Sequence, residues 1–140
     1  MKVLITGITG MVGSHLAEYI VANHSSVEVH GMIRWRSPLD NLTQIIDKVQ
    51  LHCADLRDLN SLVTVIKEIK PDRIFHLAAQ SYVTTSFTAP ADTLHTNVIG
   101  MANLLDAVRI VGIAPRIHVC SSSEVYGQVQ KDEIPITENN

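Results

Sequence analysis

The stretch TGITGMVG, residues 6–13, sets glycines at positions 7, 10 and 13 between two apolar segments of different period. The segment before it, VLIT at 3–6, has the length and composition of a buried strand. The segment after it, Met11 to Asn23, is amphipathic and reads as a helix. A strand that breaks into glycines and reopens as a helix aims the free amide groups of the helix N-terminus at whatever the loop holds. In that arrangement Gly7 takes the tight turn, Gly10 removes a side chain that would block a phosphate, and Gly13 lets the helix pack on the strand. The loop therefore reads as the cradle of a dinucleotide pyrophosphate, with Thr9, Met11 and Val12 among its binding residues. The competing reading is a glycine-rich turn that holds nothing.

Outward from this loop, four more short apolar runs have strand character: VEVHGMI (27–33), VQLHC (49–53), RIFHLA (73–78) and RIHVCS (116–121). Helical stripes lie between most of them. Leu59, Leu62, Val63, Ile66 and Ile69 recur at helical spacing and stop at Pro71. Val98, Met101, Leu104, Leu105 and Val108 form another stripe that ends near Gly112 and Pro115. This alternation predicts right-handed crossovers and an α/β fold, a Rossmann-like doubly wound parallel sheet of about five strands in the order 3-2-1-4-5. Residues 1–140 then form one dinucleotide-binding domain.

Composition narrows the classes of function. The chain has 140 residues, 46% hydrophobic and 18% charged, enough for a domain that buries roughly 70% of its unfolded surface. A formal charge of −3, with Lys and Arg scattered, leaves no electrostatic footprint for nucleic acid. No apolar run is long enough for a signal peptide or a membrane span, so a cytoplasmic location is expected. Cys53 and Cys120 stand alone in apolar contexts and read as small core residues. The seven histidines show no HxxxH or HxxE pattern with a third ligand, so no metal is expected, and His76 reads as a packed strand residue. The tail QKDEIPITENN reads as a loop.

The ends of the other strands supply the remaining candidates, because this fold binds ligands at the carboxyl ends of its strands. After the second strand, where an NAD site usually presents Asp or Glu, the chain reads Ile33, Arg34, Trp35, Arg36. The guanidinium groups of Arg34 and Arg36 suit a 2′-phosphate, which favours NADP over NAD; otherwise they are solvated loop charges. Trp35 either stacks on adenine or covers the sheet edge. After the third strand, Asp55, next to Leu56, offers an acceptor for the adenine amino group, or else serves as an N-cap or turn acid before Leu59. After the fourth, Leu77, Ala78, Ala79, Gln80 and Ser81 place small residues where a nicotinamide ribose would lie.

GITGMVG, the Asp55–Leu56 pair, LAAQS, TNVIG and SSSEVYG, in that order and spacing, resemble the extended short-chain dehydrogenase/reductase family of nucleotide-sugar enzymes. Within it the sequence is most similar to GDP-mannose 4,6-dehydratases, through GITG, the Arg34 to Ser37 stretch, LAAQS followed by Ser86 and Phe87, and the Ser-Ser-Glu run before Tyr126 and Gly127. Epimerases and 4-keto-sugar reductases share most of these motifs. The resemblance implies oxidation of the sugar at carbon 4 by hydride transfer to NADP, loss of water across carbons 5 and 6, and return of the hydride to carbon 6. It makes Ser122 the catalytic hydroxyl at the reacting oxygen and Glu124 the acid/base at carbons 5 and 6. Read without the resemblance, Glu124 is equally an exposed loop acid. A homo-oligomer is also implied, in which two helices from each subunit pack together, and the helix spanning about Ala91 to Val111 is the one of the two expected within these residues.

The departures from the family pattern bear on activity. A Tyr followed four residues later by a Lys, the base for the carbon 4 hydroxyl, is absent: Tyr19, Tyr82 and Tyr126 are followed at that spacing by Asn23, Ser86 and Gln130. Met11 and Val12 stand where typical dehydratases carry Gln-Asp, and Asn97 where they tend to carry Asp. The expectation is that the chain is the incomplete N-terminal part of such an enzyme, lacks the C-terminal substrate domain, and does not turn over alone. Two further readings are a free-standing NADP-binding module that works with a partner, and a fifth strand that recruits a second copy through its exposed edge.

Overall fold

The computed structural model describes residues 1–140, apart from the side chain of Ser123. Five strands, β1 (Lys2–Thr6), β2 (Glu28–Ile33), β3 (Gln50–Cys53), β4 (Arg73–His76) and β5 (Arg116–Val119), form one sheet in the order β3-β2-β1-β4-β5. Every pairing is parallel, with Leu4 of β1 opposite His30 of β2 and Ile74 of β4. This is the expected order, and β1 lies at its centre.

Alternation along β1 sends its side chains into two separate cores. Leu4 packs with Ile74 under Leu62, Ile66 and Ile69 of α2 (Leu59–Ile69) and with Leu104, Ala107 and Val108 of a helix that follows β4. Val3 and Ile5 point the other way, against Ala17 and Ile20 of α1 (Met11–Asn23). A strand covered on both faces must be apolar throughout, which is why VLI runs without interruption.

The stop signals act as local chemistry requires. The Asp58 carboxylate caps α2 by accepting from the Asn60 amide at 3.1 Å, and the helix ends at Lys70, with Pro71 beyond. Between β4 and β5 lie α3 (Val83–Thr88), α4 (Pro90–Leu94), a wider π-helical turn (His95–Ile99) and α5 (Gly100–Val111), which ends on Gly112 at φ 73°. The stretch from Pro90 to Val111 is thus nearly one helix with a π turn inside it.

Between β2 and β3, where the sequence shows no helical stripe, the chain makes two single 3-10 turns, Asp40–Leu42 and Ile46–Lys48, and Leu42 and Ile45 plug the α1-side core. Two expectations are corrected. The fourth and fifth strands end earlier than their apolar runs, so Leu77 to Ser81 leave the sheet. Cys53 and Cys120 are exposed, because each lies at the carboxyl end of an edge strand, where neither face is fully covered.

The segment from residue 121 onward makes two short 3-10 turns, Ser123–Tyr126 and Lys131–Glu133, and is almost wholly exposed. Among the described residues no helix is long and apolar enough to cross a membrane.

Candidate functional site

A cleft of about 540 Å³ opens at the carboxyl ends of β1 to β4. It lies at the switch point of the sheet, where β1 has β2 on one side and β4 on the other and the crossovers depart to opposite faces. Every candidate cofactor-binding residue named from the sequence lines it except Arg36.

The floor begins with the glycine loop. Gly7 sits at φ 72°, and a Cβ there would lie 2.9 Å from the Ala78 amide nitrogen. A Cβ on Gly13 would overlap the Gly7 carbonyl oxygen. These two glycines are demanded by the fold, with or without a ligand. A Cβ on Gly10 meets only the Gly7 carbonyl oxygen, at 3.3 Å, so the fold alone asks much less of that position. α1 begins at Met11 with no side-chain cap and no acid in its first turn, which leaves its opening amides and partial positive charge to the cleft. Asn41 Nδ2 holds the loop by donating to the Thr9 carbonyl at 2.9 Å.

Beneath the loop, Thr6 ties β1 to the segment after β4. Its buried hydroxyl oxygen accepts from the amides of Leu77 at 3.2 Å and Ala78 at 3.1 Å, and lies 2.9 Å from His76 Nδ1. With both lone pairs engaged, the hydroxyl proton must go to His76 Nδ1, so the neutral ring carries its own proton on Nε2. Burial holds the His76 pKa below its ordinary value, in keeping with a neutral ring. His76 is a packed strand residue, as read from its apolar surroundings.

At the far end of the cleft, Arg34 lines the wall, and its backbone amide donates to Ser37 Oγ at 3.0 Å. Arg36, at φ 64°, turns outward and lays its guanidinium 4.2 Å from the centre of the Trp35 ring. Trp35 itself is 76% exposed and borders a neighbouring depression, so it does not cover the sheet edge.

Asp55 is not the N-cap; Asp58 is. Asp55 makes an acidic turn, its Oδ1 accepting from the Arg57 amide at 2.9 Å and from Arg57 Nε at 3.1 Å, and its Oδ2 from Arg57 Nη2 at 2.9 Å. The hydrogen-bonded guanidinium lowers the Asp55 pKa against the opposing cost of burial. Arg57 Nη1 also reaches Asp92 on α4 at 3.1 Å. Arg57, Asp92, Ser37 and Thr96 line the cleft and were not singled out from the sequence. The signal for Arg57 lay one residue past Leu56; nothing local links it to Asp92, 35 positions away.

At the opposite end, the Gln80 backbone is clipped by Asn97 of the π turn, whose Oδ1 accepts from the Gln80 amide at 2.8 Å and whose Nδ2 donates to the Gln80 carbonyl at 2.9 Å. Ser122 and Glu124 lie beyond β5 and do not line the cleft. Ser122 Oγ accepts from the Glu124 amide at 3.2 Å and caps the turn Ser123–Tyr126.

The solved UDP-glucose-4-epimerase from Stenotrophomonas maltophila, with bound NAD and formylated UDP-arabinopyranose, superimposes with a TM-score of 0.85 at 26% identity, over 99% of this chain and 41% of that one. The UDP-glucose 4-epimerase of Bifidobacterium longum, in complex with NAD+ and UDP, gives 0.83 at 27% identity over 99% and 41%. In sequence, the GDP-mannose 4,6-dehydratase of Yersinia enterocolitica is 42% identical over 145 residues, covering 96% of this chain and 38% of that protein. The human GDP-mannose 4,6 dehydratase is 39% identical over 144 residues, covering 94% and 38%. The chain thus spans well under half the length of these relatives. The model of the family described as GDP-mannose 4,6 dehydratase matches residues 4–140, and with that match across nearly all of its length this chain belongs to the family.

Proposed function

We propose that the cleft binds NADP in preference to NAD, and that the chain forms the cofactor-binding portion of a nucleotide-sugar 4,6-dehydratase of the GDP-mannose type. The observation that carries this reading is the glycine loop packed under an uncapped helix N-terminus at the switch point of the sheet, in a chain of this family. The fit is physical: the opening amides of α1 lack partners from side chains, and a Cβ at position 10 would meet the Gly7 carbonyl oxygen alone, leaving its other side open to a pyrophosphate. The NAD bound by the two epimerases supports a dinucleotide. Arg34, on the cleft wall where an acid would select NAD, supports a 2′-phosphate.

A bound nicotinamide supplies the hydride acceptor at sugar carbon 4 and the hydride returned to carbon 6, between which water leaves across carbons 5 and 6. The protein's part is to place and protonate. Gly7, Gly10 and Gly13 seat the pyrophosphate; Asp55 accepts from the adenine amino group; Ala78 and Ala79 leave room for the ribose. Ser122 hydrogen-bonds the reacting oxygen at carbon 4, and the Glu124 carboxyl moves a proton at carbons 5 and 6. Among residues 1–140 no Tyr is followed four residues later by Lys, so the residues present supply binding and the Ser122 and Glu124 groups. The same reading includes a homo-oligomer, formed on the α4–α5 stretch where Leu94, Val98 and Ile110 are exposed.

A second reading, a dinucleotide-binding module that performs no chemistry, is favoured by one observation: Ser122 and Glu124 stand outside the cleft lining. Calorimetric titration of the purified chain with NADP and, separately, NAD tests the cofactor reading. Saturable NADP binding, weakened about tenfold or more by Arg34→Ala while NAD binding is unmoved, is expected. A folded chain that binds neither dinucleotide overturns it.

A further inference from the structure

Arg57 is built into the cleft with more contacts than a surface arginine needs. Its backbone amide and Nε both donate to Asp55 Oδ1, its Nη2 donates to Asp55 Oδ2, and its Nη1 donates to Asp92 Oδ1. Both oxygens of the Asp55 carboxylate are therefore held in the plane of a guanidinium fork, a geometry that Lys cannot reproduce. Asp92 of α4 holds the remaining Nη at 3.1 Å, so the guanidinium is held by a carboxylate at both ends.

The side chains of Arg57, Asp55 and Asp92 are 41%, 32% and 50% exposed. Exposed ion pairs of this kind contribute little to stability, so folding does not explain the arrangement. An ionised carboxylate offers about four acceptor positions and no donor. Three are taken by Arg57, and what remains is an acceptor with a fixed direction on the cleft wall.

We infer that Arg57 is a positioning residue that fixes the direction of the Asp55 carboxylate and thereby makes the cleft select a 6-amino purine over a 6-oxo purine in the dinucleotide. The inference rests on the cofactor reading above. Adenine presents an amino donor at carbon 6; hypoxanthine presents an oxygen there, which an acceptor-only carboxylate of fixed direction repels. Sites that hydrogen-bond a particular group reject the analogue lacking it far more strongly than apolar pockets do. If the carboxylate can swing, it turns away from the oxygen toward solvent and the discrimination falls.

The test titrates the purified chain and its Arg57→Met and Arg57→Lys variants with NADP and with its hypoxanthine analogue, deamino-NADP, following the melting temperature in parallel. The chain is expected to bind NADP about tenfold or more tighter than the analogue. Both variants are expected to narrow that ratio to within about threefold while their melting temperatures stay near that of the unsubstituted chain. Variants that keep the full ratio overturn the inference and leave the cofactor reading standing, as does a chain that binds both dinucleotides equally. A folded chain that binds neither overturns both. If Arg57→Lys keeps the ratio and Arg57→Met loses it, charge rather than the planar fork acts on Asp55, and the inference also fails.

Discussion

After β1 the chain turns at Gly7 against the backbone of Leu77 and Ala78, and Gly13 brings α1 down onto the Gly7 carbonyl. After β5 it runs into Ser122 and Glu124, where the Ser122 hydroxyl accepts from the Glu124 amide at 3.2 Å, the Ser122 carbonyl accepts from the Val125 amide at 3.2 Å, and the described residues around them are exposed. Both loops leave the same end of the same sheet, yet the first is packed backbone on backbone against another segment and the second is an exposed turn whose described bonds are local. The first strand is central and covered on both faces; β5 is an edge with half its pairing. Positional precision therefore comes from the neighbours a loop rests on, and the glycine loop rests on the backbone of Leu77 and Ala78.

The largest effect expected at the first loop is that of Gly13→Ala, which forces a Cβ into the Gly7 carbonyl and should cost about 2–4 kcal/mol in urea unfolding. Gly10→Ala, three residues away, should stay within about 1 kcal/mol while NADP affinity falls tenfold or more. Equal destabilisation by both would break the distinction between the glycine the fold needs and the one the ligand needs.

Thr6→Val comes next. It leaves the amides of Leu77 and Ala78 without their acceptor and His76 Nδ1 without its donor, for an expected loss of about 1–3 kcal/mol. A value near zero would mean that the floor of the cleft is not held by this hydroxyl.

A third expectation concerns pH. Burial lowers the pKa of His76, and burial with the nearby His52 lowers that of His30, whose Nδ1 lies 3.1 Å from His52 Nε2. Lys2 adds to the lowering at His30, while Glu28 and Glu68 oppose it. Below about 6.5 the unfolded chain then binds more protons than the folded one, so stability is full above that pH and is lost as pH falls toward the folded values. Urea midpoints measured from about pH 8 down to about pH 5 should fall, and a flat profile would sink the assignment.

The smallest effect belongs to the second loop: Ser122→Ala should move the urea midpoint by no more than about 0.5 kcal/mol, since it removes one exposed cap. A large loss there would show that the segment after β5 is as firmly seated as the glycine loop.

The elements legible in the chain were those whose signals are local. Apolar runs of strand length, helical stripes ending at Pro71 and Gly112, and glycines at 7, 10 and 13 are each read within a dozen residues, and together they lead to the sheet order and to the lining of the cleft. Cys53 and Cys120 were misread because their apolar neighbours do not reveal that both lie at the ends of edge strands. The two 3-10 turns between β2 and β3 were missed because Leu42 and Ile45 fill the core without a helical period.

By itself the sequence determined the alternation of strands and helices, the cradle after the first strand and the family to which the chain is similar, because period, spacing and residue size act through neighbours along the chain. Only the tertiary structure decided that Asp58 rather than Asp55 caps α2, that Arg36 turns outward onto Trp35, that Thr6 dictates the tautomer of His76, and that Arg57 of the segment after β3 meets Asp92 of α4. Each of these joins a side chain to a partner whose position is set by the packing of the whole sheet, and the geometry of a hydrogen bond leaves no trace in the order of residues.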